Sequence, residues 1–203
     1  MINYFNAGTD IHSKTASEVY HIPLDDVTKD MRRAAKVINF GVLYGMSQHG
    51  LAAAAGMSFI DAKNFIDEYF RIRPRIRQYI DATIKKAHDE GFVETLFGRR
   101  RPTPDVKSSN FVVRQAAERA AANMPIQGTE ADLMKMAMLR VDERLDGMGE
   151  QLLQIHDSIL IECPRENAER VSTMLVEAME QIYPELGVNL QVDVHTGNNW
   201  GEV

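Results

Sequence analysis

The apolar period of this 203-residue chain first turns from helical to β-like near residue 150, and that change sets its fold class. Up to Gly147, apolar residues return every three or four positions, as one face of an α-helix requires. Beyond it, Gln151-Leu-Leu-Gln-Ile-His156-Asp157-Ser158-Ile-Leu-Ile-Glu-Cys163 sets β-favouring residues on both sides of a polar tripeptide. That pattern predicts a hairpin with His156, Asp157 and Ser158 at its turn. A helix over 165–183 and an alternating strand over 188–194 are expected to follow. Mostly helix with a late antiparallel hairpin is an α+β fold.

Caps and breakers divide the helical part. Asp10 can cap a helix over 11–21, and Pro23 ends it. Thr28 is placed to cap a helix running to about Tyr44, with Gly41, Gly45 and Gly50 marking its end and a turn. Ser58 opens a helix over 58–70 whose apolar stripe is Phe59, Ala62, Phe65, Ile66, Tyr69 and Phe70. The next spans 74–90 and stops at Gly91. Gly98, Pro102 and Pro104 make 92–108 read as loop. A helix over 109–123 is expected to break at Pro125 and Gly128, and another, opened by Thr129 and Asp132, to end near Gly147. The reading gives two regions: a helical one over 1–108, and one over 109–203 holding the hairpin.

Composition narrows the function classes. No apolar run approaches the roughly 18 residues of a membrane span, and the first residues carry no signal-peptide pattern. The single cysteine, Cys163, excludes an internal disulfide and a multi-cysteine zinc site, and it fits a reducing cytoplasm. The net charge of −6 is unevenly spread: 71–119 carries 12 Lys/Arg against 6 Asp/Glu, while 120–203 carries 5 against 15. A basic middle beside acidic flanks suggests a local anion-binding surface. Scattered arginines on a solvated face give the same count. A metal-dependent nucleotidyl transferase needs both signs, arginines for phosphates and carboxylates for cations.

Arg32, Lys36, Phe40 and Tyr44 recur every four residues. On a helix they share one slowly drifting face with two cations followed by two aromatics. A nucleoside triphosphate has the matching layout, anionic at one end and stackable at the other. Arginine can fork onto phosphate oxygens and lysine can meet them as a point charge. The spacing alone also describes an amphipathic helix with its aromatics in the core. At the predicted hairpin turn, Asp157 is a carboxylate of the kind Mg²⁺ prefers, or a turn aspartate bonding its own backbone.

The literal strings go further. Arg32-x-x-x-Lys36-x-x-x-Phe40-Gly41-x-x-Tyr44-Gly45 resembles motif B of family A DNA polymerases, the long fingers helix. Gly8-Thr-Asp10-Ile-His12 resembles that family's G-x-D-I-H segment. His156-Asp157-Ser158 is similar to its motif C, usually H-D-E. Arg119-x-x-x-Asn123-x-Pro125-x-Gln127-Gly128-Thr129 resembles its minor-groove segment, and Glu94-Thr95-Leu-Phe-Gly98-Arg-Arg-Arg101-Pro102 its arginine-rich text. The resemblance covers essentially the whole chain, but only the last third or so of a typical polymerase: the fingers and part of a palm with a small antiparallel sheet.

That resemblance implies an activity and roles. The activity is template-directed DNA synthesis, in replication or repair, from deoxynucleoside triphosphates on primer-template DNA. His12, Arg32 and Lys36 are expected at the triphosphate, Phe40 at the sugar and base, and Tyr44 by the templating position. Phe rather than Tyr at position 40 favours rejection of dideoxynucleotides. Arg119, Asn123 and Gln127 are expected in the duplex minor groove, whose acceptors all base pairs share. His156 falls near the primer terminus. Asp157 is the metal ligand and, with Lys36, an expected catalytic residue. The cofactor is Mg²⁺ in a two-metal site.

Two departures qualify the expectation. Ser158 replaces the usual glutamate, and a hydroxyl cannot supply its charge. The D-Y-S-x-I-E-L-R-like motif A, which carries the second metal aspartate, is not found in these 203 residues and would lie upstream with the thumb and any exonuclease domain. Asn199-Trp200-Gly201 resembles the family's natural end. The chain is therefore expected to be inactive, or nearly so, alone: a truncated gene product, a deliberately made fragment, or half of a split polymerase partnered by an upstream chain. The competing reading is a DNA- or nucleotide-binding fragment without chemistry. A hydrolase built on His156 and Asp157 lacks a second ligand cluster and explains none of the helical motifs.

Overall fold

The computed structural model describes residues 2–41 and 45–203. Eight α-helices occur among them: α1 (Ile2–Asn6), α2 (Ile11–Tyr20), α3 (Lys29–Gly41), α4 (Gln48–Ala55), α5 (Phe59–Ile72), α6 (Pro74–Glu90), α7 (Phe111–Leu145) and α8 (Ala168–Glu180). Four short strands, β1 (Phe92–Glu94), β2 (Arg100–Pro102), β3 (Glu150–Ile155) and β4 (Ser158–Glu162), make two antiparallel two-stranded sheets, β1-β2 and β3-β4. The fold class is α+β, as the change of period implies. Contacts group the chain into two compact units, Asn3–Gln127 and Gly128–Val203.

In the first unit, local chemistry sets the helix ends. Asp10 caps α2 by accepting from the His12 N–H at 3.1 Å. Thr28 Oγ1 accepts from the Met31 N–H at 3.3 Å ahead of α3, and Ser58 caps α5 by accepting from the Asp61 N–H at 3.1 Å. Gly91 closes α6 in the left-handed region, its N–H donating to Ala87 O at 3.1 Å. The core joins Ala16 and Val19 of α2, Ala34, Ala35 and Ile38 of α3, Leu51 of α4, and Phe65, Ile66 and Tyr69 of α5. A smaller cluster holds Ala87, Val93, Val106 and Ala121.

Four expectations are corrected. The residues after Gly45 hold α4, which Ser47 caps by accepting from the Gly50 N–H at 3.3 Å. The 92–108 segment is not all loop: Phe92 pairs with Pro102, Val93 with Arg101 and Glu94 with Arg100. Pro125 and Gly128 do not break α7, which runs as 35 residues through both. Proline removes one backbone donor and crowds the preceding turn. Burial on either side outweighs that, with Ala121 and Ala122 buried before it and Met134, Ala137, Val141 and Leu145 after it.

In the second unit, Val141 and Leu145 of α7 pack with Val171, Met174 and Ala178 of α8, and with Ile159 and Ile161 of β4. The fourth correction is here: 188–194 is not a strand. Its alternation puts Leu190 against Met134, Ala137 and Ile182, and the Val192 N–H donates to Glu180 Oε1 at 3.1 Å, so a side chain takes the role a ladder would have.

Candidate functional site

Helix α3 carries two opposed faces. Ala34, Ala35, Ile38 and Gly41 are buried, whereas Arg32, Lys36 and Phe40 are exposed. Each exposed residue is four positions on, so the stripe advances about 12 Å while turning only slightly. Phe40 is 55% exposed, which a core aromatic would not be. The aromatic end of the stripe thus stands in solvent. Tyr44 lies outside the described residues.

Asp10 ties α2 to this stripe. It accepts from Arg32 Nε at 2.6 Å and Nη2 at 3.3 Å, a fork that fixes the guanidinium plane. Ser13 Oγ also donates to Asp10 Oδ2 at 2.6 Å. The Arg32 hydrogen bond, more than any other contact, holds the Asp10 carboxyl well below the usual carboxylate range. Arginine has five N–H donors, so the Nη1 pair remains for an anion. His12, two residues into the cap, places its ring 5.8 Å from that of Phe40. Its pKa is lowered first by burial and then by the Arg32 and Lys36 charges, against the pull of Asp10. His12, Arg32, Lys36 and Phe40 are therefore gathered on one side of the α2–α3 pair.

Asn39, Thr15, Glu18 and Arg73 were not anticipated there. Asn39 Nδ2 contacts His12 Nδ1 and Thr15 Oγ1, each at 3.1 Å. Arg73 Nη2 donates to Thr15 Oγ1 at 3.1 Å and to Glu18 Oε2 at 2.7 Å. Asn39 does sit beside Phe40 within the motif, but its partners are 24 and 27 residues away, beyond any local pattern. Arg73 belongs to the run Arg71-Ile-Arg73-Pro-Arg75-Ile-Arg77, which the sequence offers to phosphates. Its side chain is only 6% exposed and serves the interior instead.

Arg119, Asn123 and Gln127 follow at four-residue intervals on α7. Arg119 and Gln127 are exposed and Asn123 is buried. The Gly45 backbone runs against Arg119 so closely that a Cβ there would lie 2.6 Å from Arg119 Cγ.

In the second unit, β3 and β4 meet in a tight turn with Ile155 paired to Ser158. Only His156 and Asp157 lie between the strands; Ser158 already begins β4. His156 takes φ 53°, a conformation rare outside glycine, asparagine, aspartate and histidine. Gln154 Nε2 donates to His156 O at 2.5 Å, and Ser158 Oγ to Ile155 O at 2.9 Å. The turn holds itself and leaves Asp157 exposed at the tip. No three metal-ligating side chains converge among the described residues. Exposed Asp157 is a carboxylate of the kind that could hold Mg²⁺ alongside waters and substrate phosphates.

Residues 1–202 match the family model for DNA polymerase family A. The chain belongs to DNA polymerase family A. It is 48% identical over 201 residues to the thermostable DNA polymerase I of Thermus aquaticus, covering 98% of this chain and 24% of that one. Against DNA polymerase I of Deinococcus radiodurans the identity is 49% over 199 residues, covering 97% and 20%. Among solved structures it resembles the POL domain of Pol1 from M. smegmatis in complex with DNA primer-template and dNTP, with TM-score 0.85, 39% identity, and coverage of 94% of this chain and 34% of that one. The chain thus spans about a quarter of the length of the curated family A relatives it matches.

Proposed function

We propose that this chain serves template-directed DNA synthesis, supplying the nucleotide-binding face and one metal carboxylate of a family A polymerase. The observation that carries the reading is the α3 face, where two exposed cations and an exposed phenylalanine stand in line with the His12 ring alongside. Arg32 Nη1, Lys36 and His12 bind the triphosphate of an incoming deoxynucleotide. Phe40 packs on its sugar and base, and Tyr44 borders the templating position. Arg119, Asn123 and Gln127 read the shared acceptors of the primer-template minor groove, and His156 contacts the primer end. Exposed Asp157 is the Mg²⁺ ligand; the metal when bound supplies charge neutralisation for nucleotidyl transfer. Lys36 offers a point charge to the phosphates as negative charge shifts in the transfer. The second aspartate of the two-metal pair comes from an upstream segment of the polymerase. The division at residue 108 into fingers and palm portions, and a place in the cytoplasm, belong to the same proposal.

A second reading is favoured by Ser158. Its hydroxyl is committed to Ile155 O, so it closes the turn rather than adding charge beside Asp157. On that reading the chain binds nucleotide and DNA without performing transfer.

Primer extension on a recessed duplex with Mg²⁺ and all four deoxynucleotides separates the two. The chain is compared with Asp157→Ala, each alone and with an upstream polymerase segment bearing the missing aspartate. Synthesis that needs the upstream segment and is lost in the variant supports the first reading. Binding of dTTP and DNA without synthesis in any mixture supports the second. Absence of both extension and binding refutes both.

A further inference from the structure

His12 has two ring nitrogens, and only a protonated one can donate to a phosphate oxygen. Which one carries the proton is set by what the other meets. Nδ1 meets Asn39 Nδ2 at 3.1 Å, and an amide nitrogen only donates. Reversing the Asn39 amide would turn its oxygen to His12, but would leave two N–H donors facing one hydroxyl at 3.4 Å. In the observed orientation both donors are used, on His12 Nδ1 and on Thr15 Oγ1. An unpaired donor in a partly buried place is the costlier arrangement.

Thr15 is held from behind. It is fully buried, and Arg73, a residue that only donates, approaches its Oγ1 at 3.1 Å. Arg73 is anchored in turn by Glu18 and by the Tyr69 ring, 4.7 Å from its guanidinium carbon. With Arg73 and Asn39 filling both lone pairs of Thr15 Oγ1, its own proton is left for Asn39 Oδ1. The order Glu18, Arg73, Thr15, Asn39, His12 thus has one consistent set of donors and acceptors.

We propose that Asn39, locked by Thr15 and the buried Arg73, is the positioning residue that keeps His12 in its neutral Nε2–H form, so that the ring presents a fixed donor to the triphosphate oxygens of an incoming nucleotide. The nucleotide part rests on the function proposed above; the tautomer part does not. Asp10, Arg32 and Lys36 are the charged groups acting on the ring; burial first, and then the two cations, lower its pKa against the pull of Asp10 and so favour the neutral form.

Long-range proton–nitrogen spectra of the ¹⁵N-labelled chain, with His12 assigned by His12→Gln, read the tautomer directly. The wild-type ring is expected as Nε2–H. Asn39→Leu is expected to yield a mixture of both tautomers. Thr15→Val, which keeps volume and leaves Asn39 in place, is expected to yield a smaller fraction of the second form. Asn39→Asp keeps the shape but accepts a proton, and should move it onto Nδ1 and raise the His12 pKa. Calorimetric titration with dTTP should show about three- to tenfold weaker binding for Asn39→Leu, and no further loss when it is added to His12→Ala. An Nδ1–H ring in the wild type, or a tautomer indifferent to all three substitutions, overturns the proposal. A tautomer that follows Asn39 in a chain that does not bind dTTP upholds the positioning and sinks the nucleotide reading instead.

Discussion

Gly45 has φ 65°, and a Cβ there would lie 2.6 and 2.8 Å from Cγ and Cδ of Arg119. Gly45→Ala therefore carries two separable costs. Holding alanine in the left-handed region costs about 1–2 kcal/mol. The new methyl also has to displace the Arg119 side chain, which is flexible and exposed, so it yields by changing rotamer rather than by shifting backbone. Gly91→Ala isolates the first cost, since Gly91 has φ 79° and nothing within 4 Å of its Cβ position. Both variants should lose about 1–2 kcal/mol, seen as a fall in Tm of a few degrees at this chain length. Only Gly45→Ala should also weaken primer-template binding, by about tenfold, if Arg119 donates to DNA there as a charged hydrogen-bond partner. Fluorescence anisotropy on a labelled recessed duplex, beside thermal unfolding of both variants, makes the comparison. Equal DNA affinity in the two variants would show that the Arg119 position against Gly45 does not matter for binding. A Gly45→Ala as stable as wild type would refute the steric argument itself.

Ile38 is fully buried beneath the exposed stripe of α3. Ile38→Ala should cost about 2–5 kcal/mol in chemical denaturation, and should weaken nucleotide binding only as far as α3 shifts. The depressed Asp10 pKa gives stability that is fully present above its ordinary value near 3.9 and is lost as pH falls through the folded value. The Tm gap between wild type and Asp10→Asn should therefore be flat from pH 7 to 5 and shrink only in strong acid. His12 has the same sign for a different reason: its folded pKa lies below about 6.5, so its contribution is present above that pH and declines below it. Removing it in His12→Gln should flatten the pH dependence of Tm just under pH 6.5; an unchanged profile would count against the burial argument.

Elements fixed by neighbours in sequence were legible from it. Asp10, Ser58 and Gly91 each cap or close a helix through a partner at most four residues away. The β3-β4 hairpin was likewise readable, because its two strands flank its own turn. Two of the failures arose where a distant partner decides. Pro125 and Gly128 are sound local breakers, yet buried residues on both sides keep α7 whole. The 188–194 alternation is strand-like, but β structure needs a ladder, and the Val192 N–H finds Glu180 instead. Strands β1 and β2 have only three residues each, too short for a period to show, and their pairing rests on a turn where the Thr95 N–H donates to Arg99 O at 2.9 Å.

The charge pattern follows the same logic. A surplus of cations over 71–119 reads as one anion-binding surface, but a guanidinium is available only after the carboxylates and rings within its reach are subtracted. Arg71 is forked by Glu68, Arg77 pairs with Asp81 and lies over Phe70, and Arg100 pairs with Glu94 while stacking on Phe92 at 4.3 Å. Lys85 and Lys86 are met by Asp89 and Glu94. Arg73 is buried altogether. These partners are three or four residues away along a helix, in the strand that follows it, across a two-stranded sheet, or in another helix, so a segment count cannot see them. Arg75, Arg101, Lys107 and Arg119 remain exposed, with no ion pair among the described residues. On α3, Arg33 pairs with Asp30, Arg32 is held by Asp10 through only two of its three nitrogens, and Lys36 is left exposed. What an anion meets is therefore set by which cations lack a carboxylate partner, and a segment total does not report it.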